Sequence, residues 1–255
     1  MEFDVVVVGA GPSGSTAAKN LAERGINVLL VDKEKFPRDK PCGGGLPIRT
    51  LSRFPYLKES AAIDSYSFGG FVYSPSMKGK TKILKTSPVL ATVLRSTFDQ
   101  DLVHLALDKG VEFQDETRVD DIKFHSDYAQ LFFKDGSSLK TYLIIGADGT
   151  HSLIARKSQL GNSFTGKGIC VLEEFHLSEE IIEQFFTSDR LCHIHSKFNG
   201  ISGYGWVFPK KYSVNVGIVS YDSFPSNEKK INVNQIFNQY LTYLVETKIL
   251  PASLK

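Results

Sequence analysis

Six residues constrain most of what this chain can fold into: Gly9-Ala10-Gly11-Pro12-Ser13-Gly14. They follow Phe3–Val8, a β-branched run without polar alternation, which is the pattern of a parallel strand buried on both faces. After them Ala17, Ala18, Leu21 and Ala22 recur at helical spacing, and Gly25 supplies a helix stop. Ile26–Val31 then reads as a second buried strand, closed by Asp32 eighteen residues after Gly14. Strand, glycine turn, helix and second strand with a terminal acid together predict a dinucleotide-binding βαβ unit. Gly9 permits the sharp turn, Gly11 lets a pyrophosphate approach the backbone, and Gly14 lets the helix pack close to the sheet. The helix start, where Ser13 lies, offers unpaired N–H groups and a positive dipole end to the phosphate. An acid at position 32 accepts hydrogen bonds from a ribose with a free 2′-hydroxyl, which favours FAD or NAD over NADP.

Composition removes several other classes. Thirty basic against 28 acidic residues leave a net charge of +2, too balanced for a nucleic-acid footprint. Val5–Val8 and Val28–Val31 fall far short of the roughly 20 apolar residues a membrane-spanning helix needs. Asp4 precedes any signal-peptide core. Cys42, Cys170 and Cys192 lack CxxC spacing, which argues against a disulfide framework or zinc knuckle and fits the cytoplasm. Cys170 and Cys192 read most simply as buried strand residues. His193-x-His195 has no third ligand in view, so no metal site is expected. The lysine-rich stretch 78–85 reads as a solvated hairpin.

Further along, Lys40-Pro41-Cys42-Gly43-Gly44-Gly45-Leu46 holds three consecutive glycines, a sign that backbone must come close to something. Leu94, Phe98, Leu102 and Leu105 mark a helix with Arg95 in its first turn and Gly110 past its end. A cation disfavours a helix N-terminus, so Arg95 either reaches out to an anion or is a solvated surface arginine. Val111–Phe113, Val119–Phe124, Tyr128–Phe133 and Leu139–Ile145 read as strands, the last three as a β-meander. The final strand runs into Gly146-Ala147-Asp148-Gly149. Tyr204, Trp206 and Phe208 share one face of a strand by the period of two, as core or as the wall of an apolar site. Val233, Phe237, Tyr240, Leu241 and Leu244 predict a core-packing helix, ended near Pro251.

With these motifs in order, the chain resembles the flavoprotein hydroxylases and their relatives. The segments Lys40–Leu46 and Tyr204-Gly205-Trp206-Val207-Phe208-Pro209 narrow the resemblance to geranylgeranyl reductases. It implies an α/β fold: a Rossmann-type FAD-binding domain with an inserted β-meander, plus a mostly antiparallel substrate-binding sheet. The expected segments are 1–60 and 90–160 for FAD, 61–89 and 161–230 for substrate, and a helix over 231–255. The implied cofactor set is Gly9, Gly11, Ser13, Gly14, Asp32, Lys33, Cys42, Gly43, Gly44, Arg95, Val119 and Asp148. Arg95 would contact FAD, and Asp148 would help organise its pyrophosphate region. Tyr204, Trp206, Phe208 and Pro209 would line a prenyl-chain cavity. The implied reaction reduces isolated C=C bonds of a prenyl lipid precursor, with NAD(P)H or ferredoxin as electron donor and Cys42 as the catalytic candidate near the flavin. An amphiphilic substrate also implies peripheral contact with a membrane.

Two alternatives stay open. One is a flavin monooxygenase or halogenase; halogenases carry a related W-x-W-x-I-P motif, whose outer tryptophan and isoleucine are Tyr204 and Phe208 here. The other is a catalytically incomplete FAD-binding remnant. Full-length relatives continue to a GDAAG-like motif, and nothing after Asp148 reads as one. The expectation is therefore of a shortened chain with weak FAD binding and poor turnover.

Overall fold

A computed structural model of the chain describes residues 1–160, 168–221 and 232–254. It divides into two units, each made from two stretches of chain: Met1–Lys40 with Arg95–Phe164, and Pro41–Leu94 with Thr165–Lys255. Residues 41–60, which the sequence grouped with the first unit, belong to the second. The parts of the expected segments at 161–167, 222–231 and 255 lie outside the described residues.

In chain order, the first stretch forms β1 (Phe3–Val8), α1 (Pro12–Ala22) and β2 (Val28–Val31). The second forms β3 (Gly45–Pro47), α2 (Ile48–Arg53), β4 (Ile63–Ser67), β5 (Gly69–Tyr73), β6 (Lys80–Leu84) and β7 (Leu90–Val93). The third forms α3 (Arg95–Leu107), β8 (Glu112–Gln114), β9 (Val119–Phe124), β10 (Ala129–Phe133), β11 (Ser138–Gly146) and α4 (Leu153–Lys157). The last forms β12 (Ile169–His176), α5 (Glu179–Phe186), β13 (Cys192–Ser196), β14 (Gly203–Pro209), β15 (Ser213–Ser220) and α6 (Val233–Glu246).

The first unit holds one sheet in the order β8-β2-β1-β11-β10-β9. β8, β2, β1 and β11 pair in parallel, while β9, β10 and β11 form the antiparallel meander. This is the Rossmann-type α/β sheet with the inserted meander that the sequence predicts. Thr141 is where β11 changes partners: it is opposite both Phe3 of β1 and Ala129 of β10, and is fully buried. Its hydroxyl donates to the Asp4 carbonyl at 3.0 Å, which fixes that crossing. β1 explains its own lack of alternation, since Val5 and Val7 pack with Ala18, Val103 and Ala106 of the helical layer. Val6 and Val8 pack on the other face with Leu29, Leu131 and Ile154. Each such buried valine contributes roughly 1.5–3 kcal/mol.

The second unit has a six-stranded sheet, β12-β15-β14-β13-β5-β6, and a three-stranded one, β3-β7-β4. All pairings in the larger sheet are antiparallel except β13 with β5. One face carries Val207, Val214, Val216 and Ile218, covered by Ile182 and Phe186 of α5 and by Phe237, Tyr240 and Leu244 of α6. α6 forms as the spacing predicts, and its Asn232 cap accepts from the Gln235 N–H at 3.1 Å. The opposite face carries Tyr204, Trp206 and Phe208. The lysine stretch forms β6, an edge strand exposed along its whole length, with Lys80 Nζ 5.1 Å from the Phe71 ring centroid.

Candidate functional site

In the first unit the glycine turn is built by close approach. Gly9 has φ +103°, and a Cβ there would lie 2.4 Å from the Ala147 carbonyl oxygen. A Cβ on Gly14 would meet the Gly9 carbonyl oxygen and come 3.2 Å from the Ala147 Cβ. The glycine turn and the segment Gly146–Gly149 are thus packed on one another. Gly11 is different, because among the described residues the Arg38 Nη2 at 3.6 Å is the one neighbour its Cβ would meet. Gly11 caps α1 and Pro12 stands at the first helical position, so that end loses only an N–H that had no partner in the helix. Ser13 lies beside it, exposed.

Asp32 is buried, and its carboxylate accepts from the Ala10 N–H at 2.7 Å and the Glu34 N–H at 3.0 Å. It therefore ties the end of β2 to the glycine turn. A carboxylate has about four acceptor positions, which leaves capacity for a ribose. Lys33 projects outward, 64% exposed, and pairs loosely with Glu34 at 3.6 Å. The Val119 side chain is buried in the core, so at that position the backbone alone is left for a ligand. The Asp148 carboxylate turns toward α4, accepting from the Ser152 hydroxyl at 2.5 Å and the Leu153 N–H at 2.6 Å. It organises the turn after β11 by capping the next helix.

Arg95 reaches an anion, here a carboxylate of its own helix. It grips Asp99 one turn on with two parallel bonds, Nε and Nη2 to the two carboxylate oxygens, each 2.7 Å. Asp99 is fully buried and takes a second cation, Arg38, at 3.0 Å. Two guanidiniums on one carboxylate leave a net positive charge beside Gly11 and the start of α1. Arg38 Nη1 is buried without a hydrogen-bond partner among the described residues. An open glycine backbone, a helix N-terminus and an unsatisfied guanidinium N–H suit an anionic diphosphate. The residues present therefore fit FAD at its pyrophosphate and ribose. Sequence reading missed Arg38 because it sits in a mixed-charge loop, and the buried Asp99 four residues after Arg95 was the signal available. A larger concavity of about 540 Å³ in this unit is lined by Phe124, Tyr128, Tyr142 and Leu143, away from the glycine turn.

In the second unit the two remaining motifs meet. Pro41 to Gly45 and Tyr204, Trp206 and Phe208 line one cavity of about 350 Å³, with Cys170, Leu172, Val219 and Tyr221. The aromatic row is continuous, with ring centroids 5.9 Å apart for Tyr204–Trp206 and 6.2 Å for Trp206–Phe208. The glycines have a local cause. A Cβ on Gly43 would lie 2.9 Å from Trp206 Nε1, one on Gly45 3.1 Å from the Phe208 ring, and one on Gly44 would strike the Val93 carbonyl. Gly217 of β15 seats the indole from behind, since a Cβ there would overlap it. Pro209 is buried, outside the cavity lining and on the Val207 side of the strand.

The cysteines sort differently from the sequence reading. Cys192 is buried, and burial pushes its thiol up to about 12. Cys170 is exposed on the cavity wall instead of buried, because β12 is the edge of its sheet. Partial desolvation and the neighbouring Cys42 push its thiol up to about 11. Cys42 is also exposed, with its sulfur 3.5 Å from the Gly44 N–H. His193 and His195 are core residues that bond Tyr73 at 3.0 Å and Tyr240 at 2.7 Å. Among the described residues, no three His, Cys, Asp or Glu side chains form a group suited to a metal. Among them too, no helix is long and apolar enough to cross a membrane.

Residues 2–196 match the family model of the FAD binding domain. An uncharacterized protein of Methanosarcina barkeri is 32% identical over 100% of this chain, which covers 61% of that protein. A digeranylgeranylglycerophospholipid reductase of Methanococcus aeolicus is 28% identical over 87% of the chain, which covers 56% of that enzyme. The chain thus spans less than two thirds of these relatives. A solved geranylgeranyl bacteriochlorophyll reductase-like protein of Thermoplasma acidophilum shares the fold, with TM-score 0.79 and 22% identity over 94% of this chain and 62% of its own. The halogenase PltM also shares it, with TM-score 0.72 and 18% identity over 99% of this chain and 58% of its own.

Proposed function

Because this chain belongs to the FAD binding domain family, we propose that it acts in an FAD-dependent reductase of isolated C=C bonds in a geranylgeranyl lipid precursor. The observation that carries this reading is the cavity in which the Cys42–Gly45 backbone lies on the row Tyr204, Trp206 and Phe208. A prenyl chain has no polar group to bond, so its site is a wall of apolar and aromatic surface. FAD, when bound, supplies the hydride chemistry. The chain's own residues do the rest: the α1 start and Arg38 hold the diphosphate, Asp32 the ribose, and the aromatic row orients the alkene and excludes water. Cys42 lines that cavity and is the thiol candidate for a proton at Sγ. The electron donor is NAD(P)H or a ferredoxin, and the amphiphilic substrate brings the protein to a membrane surface.

The test is anaerobic incubation of the protein with FAD, dithionite and a digeranylgeranylglycerol phospholipid, read by mass spectrometry. A gain of two hydrogens per reduced bond is expected. Bound FAD with unchanged lipid overturns the reading. A monooxygenase or halogenase is the second reading, favoured by the fold shared with PltM. It requires NAD(P)H-driven oxygen consumption, whereas the reductase works better without oxygen.

A further inference from the structure

Behind the aromatic row lies a buried polar network that neither the motifs nor the proposed chemistry uses. Glu174 of β12, Asn215 of β15 and Phe208 of β14 stand opposite one another across three strands, on the cavity face of the sheet. Asn215 is 1% exposed. Its Oδ1 accepts from Trp206 Nε1 at 2.8 Å. Its Nδ2 donates to the Cys42 carbonyl at 3.3 Å and to Glu174 Oε2 at 2.8 Å. Glu174 is held in turn by Lys210 Nζ at 2.7 Å and the Ser213 hydroxyl at 2.6 Å. Lys210 is itself 1% exposed, and its Nζ would lie 3.2 Å from a Cβ on Gly44.

The chemistry of the partners allows Asn215 one orientation. An indole N–H only donates, so the amide oxygen must face Trp206; a carbonyl and a carboxylate only accept, so the NH2 must face Cys42 and Glu174. One side chain therefore fixes both walls of the cavity at once. Rotating the amide would break three hydrogen bonds and leave buried groups unsatisfied, each costly in an apolar setting.

We propose that Asn215 is a positioning residue. It clamps the Cys42 backbone to the Trp206 indole, so that the glycine segment closes on the aromatic row at one fixed depth and the prenyl chain enters in one register. The Glu174–Lys210 pair anchors the clamp from behind. The part concerning the prenyl chain rests on the function proposed above; the clamp itself does not.

The test uses Asn215→Asp, a variant of the same shape that keeps an oxygen for the indole and loses both donated bonds. Labelling with N-ethylmaleimide, mapped by peptide mass, reports how firmly the Cys42 segment is held. At least threefold faster modification of Cys42 is expected, with Cys192 still protected and FAD affinity within twofold of wild type. In turnover of a geranylgeranyl lipid with dithionite-reduced FAD, KM should rise about tenfold, and kcat should fall with it where the displaced Cys42 thiol carries the proton. A residue that places the chain without touching the reacting carbons removes binding common to ground and transition states. Unchanged Cys42 labelling in the folded variant overturns the clamp, and an unchanged KM overturns the positioning role. If Asn215→Asp does not fold, Trp206→Phe takes its place: it removes the donor to Oδ1, so Cys42 labelling should rise, and an unchanged rate overturns the proposal. Failure of wild type to reduce or bind the lipid overturns the function reading and leaves the clamp to be decided by the labelling.

Discussion

Replacing Asp99 by asparagine tests how the first unit balances charge. The wild-type carboxylate is fully buried and takes three charge-assisted bonds, two from Arg95 and one from Arg38. The two arginine side chains are themselves only 17% and 13% exposed. Removing one partner of a buried pair typically costs about 3–5 kcal/mol, because the cation left behind is not resolvated. Asparagine keeps one accepting oxygen, so about 3 kcal/mol is expected from urea denaturation followed by circular dichroism. FAD should then change the comparison. At 100 times its dissociation constant it stabilises the wild type by about 2.7 kcal/mol. In the variant a bound diphosphate also supplies the negative charge that Asp99 no longer provides. The stabilisation by saturating FAD should therefore be larger in Asp99→Asn than in wild type. A loss below about 1 kcal/mol would show that the guanidiniums reach water. Equal increments from FAD would show that Arg38 and Arg95 do not face the diphosphate.

Arg38→Ala should weaken FAD binding by about tenfold in a flavin-fluorescence titration, the 1.4 kcal/mol of one charge-assisted bond; unchanged affinity would remove Arg38 from the site. Gly217→Ala places a methyl group 2.1 Å from the Trp206 indole, so the emission of the single tryptophan should shift to the red at a cost of about 1–3 kcal/mol, and an unmoved spectrum would contradict the packing. Burial, with help from Lys80, holds His193 down at about 4, and burial with the His193 charge holds His195 down at about 3. Both lie below the unfolded value near 6.5, so the unfolded state takes up protons first and stability falls as pH drops from 6.5 toward 4. By pH 5 about 2 kcal/mol per histidine should be lost relative to pH 7.5, and a flat urea midpoint across that range would refute it. Cys42→Ser with normal FAD content should lose turnover if the thiol carries the proton, and full turnover would end that role.

Much of the fold was legible because its signals are local. The glycine turn, the unbroken valines of β1, the helical spacing in α3 and α6 and the period of two in β14 each act within a dozen residues. The fold class and the motifs followed from them. Arg38 and Asp99 were not legible, since a charged loop and a helix acid look solvated until a turn of α3 brings them together. Asp32 was read for a ribose, yet half of its bonding goes to its own loop. The three glycines at 43–45 announced a close approach, but only the sheet could show that its partner within this unit is the aromatic row. Asn215 carried no signal at all, because its three partners come from residues 42, 174 and 206.

The order in which the strands of the first sheet arrive has a kinetic consequence. β1 leaves the ribosome with β2 close behind, but its other neighbour, β11, places Leu143 against Val5, 138 residues later in the chain. At about 5–20 residues per second, synthesis takes on the order of ten seconds to reach it. During that interval a strand that ends in four consecutive valines has one unpaired edge, with loop closure still to be achieved before it is covered. Nascent chains halted before residue 138 should therefore be held by chaperones or aggregate, whereas chains released after residue 146 should not, at least through this strand.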